Sequence, residues 1–525
     1  MAARQMSAVA GVGVGILVLA TLVGAQGPGS DLKADYDRAN ALRDRVQNKI
    51  YNVVETPTWI EKTSKLWYRK SVKGGNEFVL VDAAAPSKGP AFDHEKLAAA
   101  LSTAAKAKYT AVTLPFTSFT FVDEMKAIEF TIGGGGRGGA GRGAGPGAPG
   151  AQAPALPRWR CTLTDYQCTR LPAPPPTEGR AAGLGQGRGG AGPPGAQAAE
   201  QPQVRVSPDG KTEALIQNFN VCTRPAGSRE AAPITWDGSE GDAYVFNSIA
   251  WAPDSRKIAA LRRRPGYRRV VNYVQSSPTD QLQPKLSSNN YQKPGDVVDR
   301  DQPVLINLDT KQATSVNDAL FPNAYSNGRI DWRKDSRAFT FEYNQRGHQV
   351  YRIIEVDAAT GAARTVIEET SLALIDYRRA TAGMNDSGRQ YRFDVADGQE
   401  VIWMSERDGW SHLYLYDGVA GRVKQQITKG DWTVHFVERV DEEKRQIWFT
   451  ANGMDVGKDP YFLNAFRINF DGSGLTRFTT ADATHSVSWS HSREYYVDSY
   501  SRVDLPPVSE LHRTSDGSLV LELER

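Results

Sequence analysis

One short phrase returns along this chain and limits its fold more than any other feature. It reads "VSPDGK" from Val206, "WAPDSRK" from Trp251, "WRKDSR" from Trp332 and "WSHSRE" from Trp489. The intervals are 45, 81 and 157 residues, close to one, two and four units of about 40. In each copy an aromatic or β-branched residue ends one strand. A polar turn follows, and the next run is apolar, as in "TEALIQ", "KIAAL", "AFTFEY" and "EYYVD". A further strand pair carries an Asp/Gly turn, as in "VDAATG", "YDGVAG" and "NFDGSG". Four short strands in such a unit is the period of a β-propeller blade. A blade cannot bury its two faces alone, so several must stack.

The 525 residues suit such a repeat better than one ordinary domain, and 11 Trp, 20 Tyr and 18 Phe favour pleated surfaces. From Lys65 to Arg525, without two low-complexity stretches, about 400 residues remain, enough for seven or eight blades. The expected fold class is therefore all-β, a seven- or eight-bladed β-propeller occupying 65–525, with a short N-terminal helical segment over 31–64. Helical spacing runs over Asp31–Asn52, where Tyr36, Ala39, Leu42, Val46 and Ile50 recur at three and four residues. A second helix is expected over Asp93–Lys106, capped by its Asp. The two stretches rich in Gly, Pro and Arg, 133–157 and 172–203, hold too little apolar surface to offset ordering entropy and are expected to be disordered insertions. Their Arg residues lack interleaved aromatics, and the net charge is only +3, so no nucleic-acid partner is expected.

The first 25 residues have one early Arg, an apolar run from Val9 to Leu22 and the small-residue pattern Val23-Gly24-Ala25. This is the pattern of a signal peptide, and export to the periplasm or medium is expected. The alternative is an uncleaved N-terminal membrane anchor, at the short limit for a span. Three Cys do not make a disulfide framework. Cys161 and Cys168 could face each other on a hairpin, which export would allow to oxidise. The other reading is that all three Cys are small buried hydrophobes. The seven His show no metal-binding spacing, and neither a metal nor a cofactor is expected.

Longer strings narrow the kind of propeller. "WMSERDGWSHLYLYD" (Trp403–Asp417), "ITKGDWTV" (Ile427–Val434), and the stretch from Val487 to Glu524 resemble the later blades of the dipeptidyl peptidase IV family of serine peptidases, in the prolyl oligopeptidase clan. "LWYRKSVKGGNEFVLVD" and Trp332–Gly361 resemble its bacterial members. The resemblance implies a propeller preceding an α/β-hydrolase domain, with a Ser nucleophile on a Gly-x-Ser-x-Gly elbow and Asp and His following. The sequence contains no such elbow: "DGSEG" at Ser239 and "FDGSG" at Ser473 have the wrong spacing and fit turns. No catalytic residue is therefore assigned, and the chain is expected to be inactive alone, truncated before the hydrolase domain.

The family also captures the substrate's free N-terminus with paired Glu residues. The matching region here, around "ITWDGSEGDAYVFN", lacks the pair and offers only Glu240 and Asp242 as substrate-binding candidates. Glu368-Glu369 and Glu442-Glu443 are adjacent acids, but both read as solvated turns. The expected partners are a peptide substrate, a separately encoded α/β-hydrolase domain, and a second copy in a homo-dimer. The alternative function is a free-standing exported TolB-like propeller that binds a protein or peptide.

Overall fold

The computed structural model describes residues 32–46, 50–133, 156–172, 203–380 and 388–525. The expected signal peptide and the bulk of the two Gly/Pro/Arg-rich stretches lie outside the described residues. Among the described residues, eight antiparallel sheets follow one another in chain order. The first comprises Thr58–Trp59, Lys65–Val72, Gly75–Asp82 and Ser87–Pro90, and the second Phe119–Val122, Ala127–Thr131, Arg158–Thr162 and Cys168–Arg170. The third comprises Arg205–Val206, Thr212–Gln217, Asn220–Pro225 and Ala232–Pro233. In the fourth the first strand is broken into Ala243–Tyr244 and Ala250–Trp251, ahead of Lys257–Arg264, Arg300–Asn307 and Gln312–Ser315. The fifth runs from Ala324–Trp332 through Ala338–Gln345 and Val350–Asp357 to Ala363–Thr370. The sixth comprises Arg392–Val395, Glu400–Ser405, His412–Asp417 and Arg422–Gln426. The seventh comprises Thr433–Asp441, Gln446–Asn452, Asn464–Asn469 and Thr476–Arg477, and the eighth Thr484–Trp489, Tyr495–Arg502, Leu505–Arg513 and Leu519–Glu524. The fold is the all-β propeller that the repeat implies, its sheets being the blades.

The chain divides into two compact units, Met1–Thr58 with Trp67–Val81 and Lys88–Pro172, and Trp59–Leu66 with Asp82–Ser87 and Ala173–Arg525. In the first unit, helix α1 spans Leu32–Val46, and its Leu32, Tyr36 and Leu42 are exposed. Helix α2 spans His94–Ala105 and is capped by Asp93, whose carboxylate accepts from the Lys96 amide at 3.0 Å. The core of this unit is aromatic: Trp67 stacks on Phe119 with ring centres 4.3 Å apart, and Phe116 on Phe130 at 4.1 Å. Cys161 and Cys168 are register partners on adjacent strands, with their sulfurs 2.03 Å apart.

In the second unit, apolar clusters fill the junctions between successive sheets. Strand alternation explains how. In Glu400–Ser405, Val401 and Trp403 face the fifth sheet, while Ile402 and Met404 face the seventh. Both faces are buried, so the strand reads as the unbroken apolar run "VIWM". Truncating such a side chain to Ala costs roughly 2–5 kcal/mol. Between the second and third strands of the fourth sheet a separate hairpin is inserted, Val270–Gln275 with Lys285–Asn290, and its Val270, Tyr273, Val274 and Leu286 are exposed.

The repeated phrase builds the turn after each first strand. Its Asp accepts from the amide two residues on: Asp209 from Lys211 at 3.1 Å, Asp254 from Arg256 at 2.9 Å, and Asp335 from Arg337 at 3.0 Å. The next residue is left-handed, Gly210 at φ 74°, Ser255 at 61° and Ser336 at 63°. These left-handed serines also tie neighbouring sheets together. Ser255 Oγ accepts from the Asp209 amide at 3.1 Å, and Ser336 Oγ from the Asp254 amide at 2.9 Å. Acidic side chains continue the series: Asp397 accepts from the Lys334 amide at 3.0 Å and Glu442 from the Ala396 amide at 2.8 Å. The phrase's Trp adds a second tie to the preceding sheet. Trp251 Nε1 donates to the Arg205 carbonyl at 2.9 Å, Trp332 to that of Ala250 at 3.0 Å, and Trp59 stands in the same relation to Ser488 at 3.2 Å.

Candidate functional site

Glu240 and Asp242 lie on the turn that opens the fourth sheet, where Ser239 and Asp242 pair through their backbones. The strand beside it, Lys257–Arg264, ends in three consecutive arginines. Alternation puts Arg262 and Arg264 on one face and Arg263 on the other. Arg262 and Arg264 both reach Asp242, at 3.2 and 2.7 Å, and Arg262 also pairs with Asp237. The Tyr244 hydroxyl donates to Asp237 at 2.9 Å. Burial, then the Asp237 charge, raises the Tyr244 pKa, so the hydroxyl stays a donor. On the opposite face Arg263 forks onto Asp301 at 2.6 and 2.8 Å, its direct partner in the strand register. That bond outweighs burial and raises the Arg263 pKa.

The arrangement decides the chemistry available. A cavity of about 70 Å³ lies between Asp242, Arg262, Arg264, Arg300 and Gln302. Three guanidinium groups line it, balanced by Asp242 within it and by Asp237 and Asp318 beside it, and their N–H groups suit a carbonyl or carboxylate oxygen. Asp242 is committed to two arginines, and Glu240 is exposed on the turn. A larger cavity of about 450 Å³ adjoins the same end of Arg300–Asn307, lined by Asp299, Arg300, Asp301, Asp318, Asn327 and Arg346. Burial works to raise Asp299, but the Gly266 amide and the Arg268 guanidinium outweigh it and hold the carboxyl below its usual range. Asn327 is buried, and its Nδ2 donates to the Asp301 carbonyl at 2.7 Å while its Oδ1 has no hydrogen-bond partner. Sequence reasoning missed these arginines. Three adjacent Arg in a β run was the available signal, since alternation forces such a run to find acids on both faces.

Two readings need correction. Glu369 is not in a solvated turn: it is buried on Ala363–Thr370 and accepts from Trp403 Nε1 at 3.1 Å, Ser405 Oγ at 2.8 Å and Arg407 at 2.6 Å. Glu368 is on the same strand, paired with Arg352. His485 lies on a strand, buried against Asp498 at 2.9 Å, and His491 is in the turn that follows. Glu442 and Glu443 do occupy a turn. His412 is fully buried, hydrogen-bonded to Thr428 Oγ1 and the Gly430 carbonyl, and packs edge-on against Trp432 rather than Trp410. Ser473 Oγ donates to Asp471 within its own turn at 2.6 Å. Burial pushes the Cys222 thiol pKa up. Among the described residues, no group of three or more His, Cys, Asp or Glu could hold a metal ion, and no helix is long and apolar enough to cross a membrane.

The chain is similar to known proteins of one kind. The family model described as the dipeptidyl peptidase IV N-terminal region matches residues 191–507. Dipeptidyl peptidase 4 of Arthroderma otae is 24% identical over 323 residues, covering 58% of this chain and 38% of that relative. The Trichophyton equinum dipeptidyl peptidase 4 is 24% identical over 224 residues, covering 42% of this chain and 27% of the relative. The crystal structure of Porphyromonas gingivalis dipeptidyl peptidase 4 aligns with a TM-score of 0.44 at 15% identity, over 89% of this chain and 59% of that one. The chain thus spans well under two thirds of the length of the relatives it matches. With more than half of its residues matched by the one model, it belongs to the family that carries the dipeptidyl peptidase IV N-terminal region.

Proposed function

We propose that this chain is the non-catalytic, substrate-gating propeller of an exported dipeptidyl-peptidase-IV-like serine peptidase. Proteolysis is then carried out by an α/β-hydrolase domain outside these residues, either continuous with them or separately encoded. The observation that carries this reading is the family match across residues 191–507. The lack of a Gly-x-Ser-x-Gly elbow in the sequence supports the non-catalytic part. The arginine-rich end of the fourth sheet supports a peptide-handling role, because guanidinium donors suit peptide carbonyl and carboxylate oxygens. The apolar leader supports export, and so does the contact between the Cys161 and Cys168 sulfurs, since such bonds persist in oxidising compartments.

The purified chain, given chromogenic dipeptide substrates and a fluorophosphonate probe, should neither turn over the first nor react with the second. Turnover or labelling would overturn the non-catalytic role. Fused to a hydrolase domain of the family, it should allow cleavage of short peptides and block folded proteins. Equal cleavage of both would remove the gating role.

A further inference from the structure

The junction between the seventh and eighth sheets breaks the series of turn ties. In the eighth, the left-handed position held elsewhere by Gly210, Ser255 and Ser336 is Arg493, at φ 61°. A guanidinium has no acceptor atom, so it cannot take the amide hydrogen bond that Ser255 and Ser336 take from the preceding sheet. At this junction a cavity of about 570 Å³ opens, within the size range of small-ligand sites.

The walls of the cavity are cationic by construction. Arg439, Trp448 and Arg467 are consecutive register partners across three strands of the seventh sheet, so they share one face. Arg467 lies over the Trp448 ring at 5.4 Å, and Arg493 approaches the same ring from the eighth sheet at 5.3 Å. Lys444 and Arg513 complete five cationic side chains, against Asp441 and Glu494 as the lining carboxylates. Arg493 is ion-paired only loosely, with Glu438 at 3.7 Å, beyond hydrogen-bond distance. Three buried polar atoms here, Arg493 Nη1, Arg467 Nε and Thr514 Oγ1, have no hydrogen-bond partner. A buried donor left unpaired costs about 1–3 kcal/mol, so such a cluster is stabilised by whatever acceptor enters. Burial disfavours the Arg493 cation more than the Glu438 charge supports it, and the Arg439 charge adds to the penalty, which an incoming negative charge relieves.

We propose that this inter-sheet cavity binds a small oxyanion, a molecule presenting a carboxylate or phosphate group to Arg493, Arg467 and Thr514, with the Trp448 ring as its floor. The site is separate from the arginine-rich end of the fourth sheet and does not depend on the peptidase reading.

The test is calorimetric titration of the full chain with inorganic phosphate and, in a second arm, with citrate, beside thermal melts in the same solutions. Saturable binding by either arm at low millimolar concentration or tighter is expected, with a matching rise in Tm. The stronger arm identifies which oxyanion the site prefers. Arg493→Ser restores the residue that the repeat uses elsewhere and should lose at least tenfold in affinity while melting normally without ligand. Arg467→Gln, which removes the charge but keeps a polar side chain, should lose several-fold. Failure of both anions to bind, or unchanged binding in a normally melting Arg493→Ser protein, would overturn the proposal.

Discussion

Two junctions between neighbouring sheets use a buried arginine in opposite ways. Between the fifth and sixth sheets, Arg333 is almost fully buried and faces two carboxylates at close range. It donates to Glu355 at 2.8 Å and to Asp394 at 2.5 Å, while Arg392 forks onto Asp394 from the other side at 2.7 Å. Between the seventh and eighth sheets, Arg493 stacks on aromatic rings and has no carboxylate within hydrogen-bond distance. Both residues belong to the same repeated turn, one position and four positions after its Trp. A buried cation matched by acids clamps two sheets together. One held only by a loose ion pair marks a junction that is open to an anion.

Substitutions at the clamp should have the largest effects. Arg333→Ala removes the shared partner of two half-buried acids and should cost roughly 3 kcal/mol in denaturant unfolding. A loss below about 1 kcal/mol would show that Arg392 and Arg364 hold the junction without it. Gly398→Ala comes next. Gly398 has φ +85°, and an added Cβ would sit 2.1 Å from Arg333 Nη1, so backbone strain and a displaced guanidinium combine. We expect a loss of roughly 1–3 kcal/mol from the backbone alone. Ser336→Ala deletes only the acceptor for the Asp254 amide and should cost about 1 kcal/mol. Arg493→Ser should cost about 1 kcal/mol or less, since the loose ion pair with Glu438 is lost together with a cation that burial disfavours.

The two junctions should also answer pH with opposite sign. Burial works to raise Asp394, but Arg392 and Arg333 outweigh it, and its pKa lies below the usual carboxylate value in the folded state. Its contribution is therefore present above the unfolded-state pKa and is lost as pH falls through the folded one. At the other junction, burial raises the Glu438 pKa against the pull of Arg493. The folded state there favours the protonated acid, so this contribution grows as pH falls. Melting curves from neutral to acid pH should fall less steeply in Arg333→Ala than in the parent. Glu438→Gln should raise Tm at neutral pH and lose the acid-side gain; an unchanged neutral Tm would refute that sign.

The sequence made the local part of this plain and hid the long-range part. The turn phrase, its spacing and the strand alternation lie within a few residues of one another, so the blade unit could be read from Trp332–Gly361 alone. The partners could not. Arg333 finds Asp394 61 residues on, and Arg493 stacks on Trp448 in another sheet. Glu369 was misread for a definite reason. The register between Val350–Asp357 and Ala363–Thr370 shifts at Ile353 and Ile354, which leaves Val366 without a partner and sets Glu369 opposite Tyr351, on the buried side. A one-residue slip of that kind has no signature in "IEETS". The weak candidates Glu240 and Asp242 came from a family position, and only the fold shows that Asp242 is already held by two arginines.

The ties between turns also have a direction. In the fourth and fifth sheets, the later sheet supplies both the serine acceptor and the Trp donor to the sheet before it. A nascent chain emerges in the same order. The third and fourth blades therefore leave the ribosome with a turn amide and a strand carbonyl whose protein partners come only with the next blade. Pausing between the codons of two blades would hold the earlier one in that unfinished state, and a chaperone acting on this protein would find its binding sites at the most recently made edge.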